Sequence, residues 1–331
     1  MTFKYNNVYI NATGTVSGPF ENNGPIGKYF DKSYQDMYFK TTSWEKAETR
    51  SIIDSVDILL NKITKTKKDI DLFIAGDLLN QLVASNYAAS SLGIPFLGVY
   101  NACATSVEGL IIGSNMIESN QIKNCIVSTS SHNNSSEKQF RYPVEYGGPK
   151  KKTATFTVTG AGSAYLSYNK EGVKIESATV GKVVDLGVKD VNNMGAVMAP
   201  AAAWVINKHL NDTKRKIDYY DLVLTGDLGI YGREILKDYM KTEYGITLKN
   251  YEDCGLIIFD RNTQPVYAGA SGAGCVPLVT YGYIFNKLKK KELSRVLVVA
   301  TGALFSQTVV NEKSTLPGIA HAISLEALDL E

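Results

Sequence analysis

The stretch DIDLFIAGDLLNQ, residues 69–81, returns in altered form as DYYDLVLTGDLGIYG, residues 218–232. The shared Gly-Asp-Leu begins at Gly76 and at Gly226, 150 residues apart. In each copy a short apolar run ends in Gly-Asp, as is typical of a buried parallel strand, and a segment of helical periodicity precedes it. The preceding segments are residues 44–63 and about 194–210. The sequence therefore predicts one α/β unit that occurs twice.

A second pair of segments supports the duplication. NACATSVEGLIIG (101–113) precedes the apolar run NCIVSTSS, and GASGAGCVPLVTYG (269–282) precedes the apolar run RVLVVATGAL. Helical and strand patterns alternate along the whole chain, which indicates an α/β fold. We expect two similar halves, residues 1–170 and 171–331. The first half carries Cys103 and the polar segment 130–152, which we interpret as a long loop.

The composition excludes several classes of protein. The 331 residues are 44% apolar and 21% charged, as in ordinary globular proteins. Lys and Arg total 35 against 33 for Asp and Glu, so no strong field indicates nucleic acid as a partner. The four cysteines lack the spacing of a zinc site, which favours a reducing compartment and no metal centre. Because the N-terminus lacks the features of a signal peptide, we expect synthesis in the cytoplasm.

Cys103 is the first candidate for chemistry. It lies where an apolar run ends and a helical pattern begins, among small neighbours. Free backbone N–H groups and the positive end of a helix favour a thiolate at such a position. The alternative is a small buried cysteine with a packing role only.

Several motifs resemble the thiolase and ketoacyl synthase superfamily. NACATS (101–106) is similar to its nucleophile turn, TVTGAGSAYLS (157–167) to its Gly-Ala-Gly strand, and GASGAGCVPL (269–278) to its late glycine-rich loop. The resemblance covers essentially the whole chain. It implies a thiolase-like fold, with two similar halves in a layered α-β-α-β-α arrangement.

A narrower resemblance is to the stage V sporulation protein AD family of spore-forming bacteria. It rests on collinear segments, namely GDLLNQ (76–81), SSHNNSSEKQFRYP (130–143), MGAVMAPAAA (194–203), TGDLG (225–229), GASGAGCVP (269–277), TGALFS (301–306) and PGIAHA (317–322). The family resemblance implies a protein of the dormant spore's inner-membrane assembly. Its implied ligand is pyridine-2,6-dicarboxylic acid (dipicolinic acid), alone or with calcium, during uptake in sporulation and release in germination.

The catalytic partners of the wider superfamily are missing. Condensing enzymes activate the cysteine with a histidine and an asparagine, or with two histidines. Where the first histidine would follow a strand, this chain has Gly226 or Asp227, and Ala270 stands where the second partner would lie. Glycine and alanine side chains can neither transfer a proton nor donate a hydrogen bond. We therefore expect no catalytic residues and no enzyme.

The remaining candidates lie near the strand ends of the first half. His132 follows the strand NCIVSTSS, at the edge where open α/β sheets bind ligands, and a solvated loop is the alternative. Asp77 also follows a strand, and helix capping is its alternative role. Cys103, His132 and Asp77, with Arg141, Tyr100 and Phe140 nearby in sequence, offer the donors, cation and flat surfaces that a planar dianion needs. We place His209 at a helix-end surface and His321 in the interior, without a role in the site.

The expected partners follow from the family resemblance. They are dipicolinate and the other membrane and soluble proteins of the SpoVA set, with the protein peripheral at the spore inner membrane. The superfamily resemblance adds a homodimer through the first half as an open alternative. Two alternatives remain: an acyltransferase that uses Cys103 as nucleophile with His132 as base, and a scaffold without a small-molecule site.

Overall fold

The computed structural model describes residues 1–140, 150–303 and 306–328. Its strands and helices alternate as the sequence predicts. The strands are β1 (Thr2–Lys4), β2 (Tyr9–Ser17), β3 (Lys32–Ser33), β4 (Leu72–Gly76), β5 (Phe96–Gly98), β6 (Asn124–Ser131), β7 (Phe156–Thr157), β8 (Gly160–Ser167), β9 (Val173–Thr179), β10 (Leu222–Thr225), β11 (Tyr251–Asp253), β12 (Ala270–Ser271), β13 (Arg295–Ala303) and β14 (Gly318–Ala327).

The helices are α1 (Pro19–Asn22), α2 (Trp44–Lys62), α3 (Val83–Leu92), α4 (Thr105–Glu118), α5 (Asn133–Phe140), α6 (Met194–Thr213), α7 (Gly229–Tyr244), α8 (Cys254–Ile257), α9 (Cys275–Pro277), α10 (Phe285–Lys289) and α11 (Gln307–Asn311). A π-helical segment, Leu278–Ile284, joins α9 to α10. Short 3-10 turns occur at Gly27–Tyr29, Lys67–Asp69, Asn80–Leu82 and Ile217–Tyr219. In the described ranges, no helix is both long enough and apolar enough to cross a membrane.

The strand order shows the duplication directly. One hydrogen-bonded path runs β11-β10-β13-β14-β9-β2-β8-β6-β4-β5. In the first half β4 is parallel to β5 and β6, and in the second half β10 is parallel to β11 and β13. In both halves antiparallel strands follow towards the centre, where β2 pairs with β9. The predicted two similar halves are therefore confirmed. The boundary between residues 170 and 171 stays a prediction.

The helices form layers on and between the two sets of strands. Helices α2 and α3 cover the first set, α6 covers the second, and α7 packs against α6. Helix α4 contacts β4 and β6 of the first half and also β13 and β14 of the second. The segment from α9 to α10 likewise contacts strands of both halves. The order of layers is α-β-α-β-α, with α4 in the central layer.

The repeated glycines mark close approaches at equivalent strand ends. A Cβ atom at Gly76 would overlap the carbonyl oxygen of Val99 and lie 2.5 Å from Cγ2 of Thr105. A Cβ atom at Gly226 would lie 2.8 Å from Oγ1 of Thr301. Real Cβ atoms do not approach other atoms so closely, so both positions require glycine. This explains why the Gly-Asp-Leu signature occurs in both copies.

Two local predictions are wrong. The spacing of Thr42 and Glu45 predicts a capping box, but Ser43 is the N-cap of α2 and its hydroxyl accepts from Lys46 N at 3.3 Å. Of the predicted loop 130–152, residues 130–140 contain the end of β6 and the helix α5, and residues 141–149 lie outside the described residues. Its segment NNSSEKQF carries no apolar period, and α5 is buried instead through polar contacts such as Ser135 to Glu48 at 3.1 Å.

Candidate functional site

The turn that carries Cys103 is tightly held. Ala102 has a positive φ of 50°, a conformation that costs free energy for any residue with a Cβ atom. Thr105 fixes the turn, because its hydroxyl donates to Ala102 O at 2.6 Å and accepts from Asn101 N at 2.9 Å. Cys103 forms no disulfide and is 8% exposed. The thiol is therefore placed one residue before the N-cap of α4, a fourteen-residue helix.

The second half lies directly against this turn. A Cβ atom at Gly302 of β13 would lie 2.6 Å from Asn101 O and 3.2 Å from Ala104 N. The side chain of Asn101 also contacts Nε2 of His321, on β14, at 3.1 Å. The Cys103 turn therefore lies at the junction of the two halves.

The contacts of His321 fix its tautomer. The amide of Gly181 donates to Nδ1 at 3.1 Å, so the proton of the neutral ring is on Nε2. Nε2 then donates a hydrogen bond to the side-chain amide of Asn101, whose oxygen is the acceptor when the amide is rotated by half a turn. Burial lowers the pKa of His321 to about 4, which keeps the ring neutral at neutral pH. The expectation of a satisfied interior histidine is confirmed, but its contact with the Cys103 turn was not expected.

Asp227 and Ala270 are residues that the sequence analysis places where the missing partners would lie, with Gly226 as the alternative to Asp227. Asp227 is fully buried after β10. Thr301 Oγ1 donates to its Oδ1 at 2.8 Å, and the amide of Gly272 donates to its Oδ2 at 3.1 Å. Ala270 is buried in β12. Asp227 thus anchors the glycine-rich loop to β13, a role that needs an acceptor and not a proton donor.

Asp77 anchors its own strand end in a similar way. It is fully buried, its Oδ1 accepts from Leu79 N, and its Oδ2 accepts from both N and Oγ of Ser85, at 2.6 to 2.8 Å. These bonds organise the start of α3, in agreement with the capping role. Burial raises the pKa of Asp77. Capping and ligand contact are not exclusive, so its place in the ligand site stays a prediction.

Glu48 is a buried acid near Asp77 that the sequence did not suggest. It is almost fully buried on α2, and Ser130 Oγ and Ser135 Oγ donate to its two oxygens at 3.0 and 3.1 Å. Burial, and then the nearby charge of Asp77, raise its pKa well above the usual value.

Asp253 is a buried acid with a raised pKa in the second half. It accepts from Leu228 N and Gly229 N at the start of α7, and burial raises its pKa to about 7.

His132 follows β6 as predicted but is completely buried. Its Nε2 lies 2.8 Å from the carbonyl oxygen of Met37, so Nε2 carries the proton and donates. Within the described part of the chain, its Nδ1 is buried without a hydrogen-bond partner. Burial lowers the pKa of the ring to about 4. The solvated loop that was its alternative is therefore wrong.

The other candidates are placed as follows. Tyr100 is 46% exposed, and partial burial and the nearby charges of Cys103 and Asp77 raise its pKa. These three residues therefore share one region of the site. Phe140 is partly buried at the end of α5, and Arg141 lies outside the described residues. In the ranges that the structure covers, no three His, Cys, Asp or Glu side chains are grouped as a metal site requires.

His209 contradicts its predicted place at a helix-end surface. The ring is fully buried between Thr179 Oγ1, 2.7 Å from Nδ1, and the hydroxyl of Tyr220, 2.6 Å from Nε2. The sequence around it, WVINKHLND, is polar at its end. Its partners come from β9 and from the segment before β10, so no local signal indicated this burial.

Comparison with known proteins decides the family. The family model described as stage V sporulation protein AD (SpoVAD) matches residues 1–326. The chain belongs to this family. It is also 48% identical over 320 residues to the stage V sporulation protein AD of Bacillus subtilis (strain 168), covering 96% of this chain and 94% of that protein. The family resemblance drawn from the sequence is confirmed.

Similar solved structures confirm the thiolase-like fold. One is the 3-oxoacyl-[acyl-carrier-protein] synthase III of Aquifex aeolicus VF5, with a TM-score of 0.61, 13% identity, and coverage of 96% of this chain and 99% of that chain. Another is OleA of Xanthomonas campestris, with a TM-score of 0.61, 11% identity, and coverage of 98% and 99%. The chain is thus a member of a sporulation family with the fold of ketoacyl synthases.

Proposed function

We propose that this protein binds pyridine-2,6-dicarboxylic acid, alone or with calcium, beside the Cys103 turn, and that it takes part in the uptake and release of this ligand by spores without catalysing a reaction. Membership of the stage V sporulation protein AD family supports the sporulation role. The observation that carries the non-catalytic part is the pair Asp227 and Ala270. The carboxylate of Asp227 anchors a loop, and the side chain of Ala270 has no group that could transfer a proton or donate a hydrogen bond.

The charges of the buried acids in the candidate site are compatible with a bound anion. Two buried carboxyl groups, Asp77 near Tyr100 and Glu48 near Asp77, would repel a dianion if both were ionised. Their pKa values are raised by burial, which favours neutral groups. Tyr100 supplies a half-exposed hydroxyl donor and an aromatic face. We assign Cys103, His132 and Phe140 to the surrounding wall, and Arg141 as the cation of the site.

Calorimetric titration of the full chain with dipicolinate tests the ligand. We expect measurable heat and an increase in Tm, with and without equimolar calcium. Tyr100→Phe removes the hydroxyl and should weaken binding, whereas the exposed Tyr87, changed to Phe, serves as the matched control. Absence of both heat and thermal stabilisation up to millimolar dipicolinate would exclude this ligand and favour a scaffold role.

The second candidate is an acyltransferase. One observation favours it: Cys103 lies directly before α4, and Nδ1 of the buried His132 has a lone pair without a hydrogen-bond partner among the described residues. Incubation with acyl-coenzyme A, followed by mass spectrometry of the intact protein, separates the two functions. We expect no adduct on the wild type. A stable acyl adduct that is absent from Cys103→Ser would overturn the non-catalytic proposal.

We also propose that the protein acts at the spore inner membrane with the other SpoVA proteins, as a homodimer through its first half. The support for the dimer is the free edge of β5. This strand ends the sheet path, and its Leu97 is 43% exposed. A free edge with an exposed apolar side chain is a surface that proteins usually cover.

A further inference from the structure

The segment that follows Asp77 has a strained backbone. Gln81 and Leu82 are neighbours in the left-handed region, with φ values of 62° and 55°. Neither residue is glycine, so each conformation costs free energy. Strain of this kind persists only where surrounding contacts hold it, and it is concentrated at functional sites. Residues 79–82, which lie between β4 and α3 and include Asn80 and Gln81 of the GDLLNQ motif, are called the strap below.

An exposed side chain holds the two strained residues. Asn86, in the first turn of α3, donates from Nδ2 to the carbonyl oxygen of Gln81 at 3.0 Å and to that of Leu82 at 2.8 Å. Because Asn86 is exposed, water competes for both hydrogen bonds. The strained conformation is therefore held at the surface, where these bonds can break without unfolding of the core.

Other contacts fix where the strap lies. The amide of Asn80 donates to Oε1 of Gln139, near the end of α5, at 3.1 Å. Leu82 packs against β5, since a Cβ atom at Gly98 would lie 2.9 Å from Cδ1 of Leu82. The strap therefore runs from the end of α5 to the strand that leads into the Cys103 turn.

The strap is also close to the thiol of Cys103. A Cβ atom at Gly76, the residue before Asp77, would lie 2.5 Å from Cγ2 of Thr105, which fixes the Cys103 turn. Tyr100 lies near both Cys103 and Asp77. Cys103 is 8% exposed, so access to its thiol depends on the movement of a neighbouring segment. The strap is suited to this movement, because it is strained and is held from the surface.

We propose that the strap is a gate to the Cys103 region. The hydrogen bonds of Asn86 keep it closed, and it opens when Gln81 and Leu82 leave the left-handed region. Opening releases backbone strain, which offsets part of the cost of breaking the two bonds. As the entrance for a ligand, the gate rests on the function proposed above. As the entrance to the Cys103 thiol, it is tested without any ligand.

Hydrogen exchange of the strap amides, measured by mass spectrometry on the full chain, tests the opening. Asn86→Ala removes both hydrogen bonds, so exchange should become at least about fivefold faster. Gln81→Gly removes the steric cost of the closed state, so exchange should become about threefold slower. The matched controls are Ser90→Ala, at an exposed residue of the same helix, and Gln81→Ala, which keeps a Cβ atom and therefore the steric cost. Both controls should exchange like the wild type.

The reaction of Cys103 with a disulfide reagent tests whether the strap controls access. The rate should rise in Asn86→Ala and fall in Gln81→Gly, with Cys103→Ser as the blank. Unchanged exchange in both strap variants would refute the opening, and changed exchange with an unchanged Cys103 rate would refute the gate. Dipicolinate titrated into the same proteins tests the proposed ligand separately, because absence of its binding leaves both readouts of the gate intact.

Discussion

At the scale of single residues, the contact between Asn101 and His321 is the least expected feature. It joins the Cys103 turn to β14 across 220 residues of sequence. Asn101→Ala removes this tie and should loosen the turn, so the thiol of Cys103 should react faster with a disulfide reagent. Cys103 is 8% exposed, whereas the other cysteines are fully enclosed, so the first thiol to react reports on this site.

The matched control for this experiment is Asn211→Ala, because Asn211 is an exposed asparagine far from the turn. Cys103→Ser should abolish the fast phase of the reaction. An unchanged rate in Asn101→Ala would show that Thr105 alone holds the turn.

His209 gives a second prediction at this scale. Burial, followed by the charge of Arg215, lowers its pKa to about 4, below the unfolded value of about 6.5. The contribution of the neutral ring is therefore complete above pH 6.5 and is lost as the pH falls towards 4, by up to about 3 kcal/mol. Buried carboxyl groups with raised pKa values, such as Glu21, act in the opposite direction.

A comparison between variants isolates this histidine. The free energy of unfolding, from urea titrations between pH 4.5 and pH 7, should depend less on pH in His209→Gln than in the wild type. Identical pH profiles for the two proteins would mean that His209 is not neutral and buried as described.

At the scale of elements, the two buried acids near α3 should behave differently. Asp77 supplies the first turn of α3 with acceptors, so Asp77→Asn should destabilise the protein by about 1 to 2 kcal/mol. Glu48 has a raised pKa, and Glu48→Gln keeps its hydrogen-bonding capacity while removing the charge. Glu48→Gln should therefore be neutral or stabilising at pH 8. Urea denaturation checks both, and a loss of more than about 1 kcal/mol in Glu48→Gln contradicts this account.

The sequence predicted β4, β6, α4 and the ends of the parallel strands, because apolar periodicity and the Gly-Asp-Leu repeat are local signals. It missed α5, since NNSSEKQF has no apolar face. It also missed the burial of His209 and the contacts of Glu48. Those side chains are enclosed by residues distant in sequence, and no pattern within a single segment specifies such partners.

At the scale of the whole molecule, the free edge of β5 gives the prediction on assembly. If two copies pair through this edge, size-exclusion chromatography with light scattering should report a dimer for the wild type. Leu97→Lys places a charge on the edge and should shift the protein to a monomer. Leu186→Lys, at a 60% exposed leucine of the second half, should leave the dimer intact. A monomeric wild type would contradict the homodimer.

The first strand of the chain belongs to the far half of the molecule. Thr2, Phe3 and Lys4 in β1 pair with Thr179, Ala178 and Ser177 in β9, and Thr2 Oγ1 donates to Asp212 Oδ2 at 2.7 Å. During synthesis, β1 therefore cannot dock until β9 has left the ribosome. Strand β1 is synthesised well before its partner β9, so this part of the first half is secured only when the second half forms.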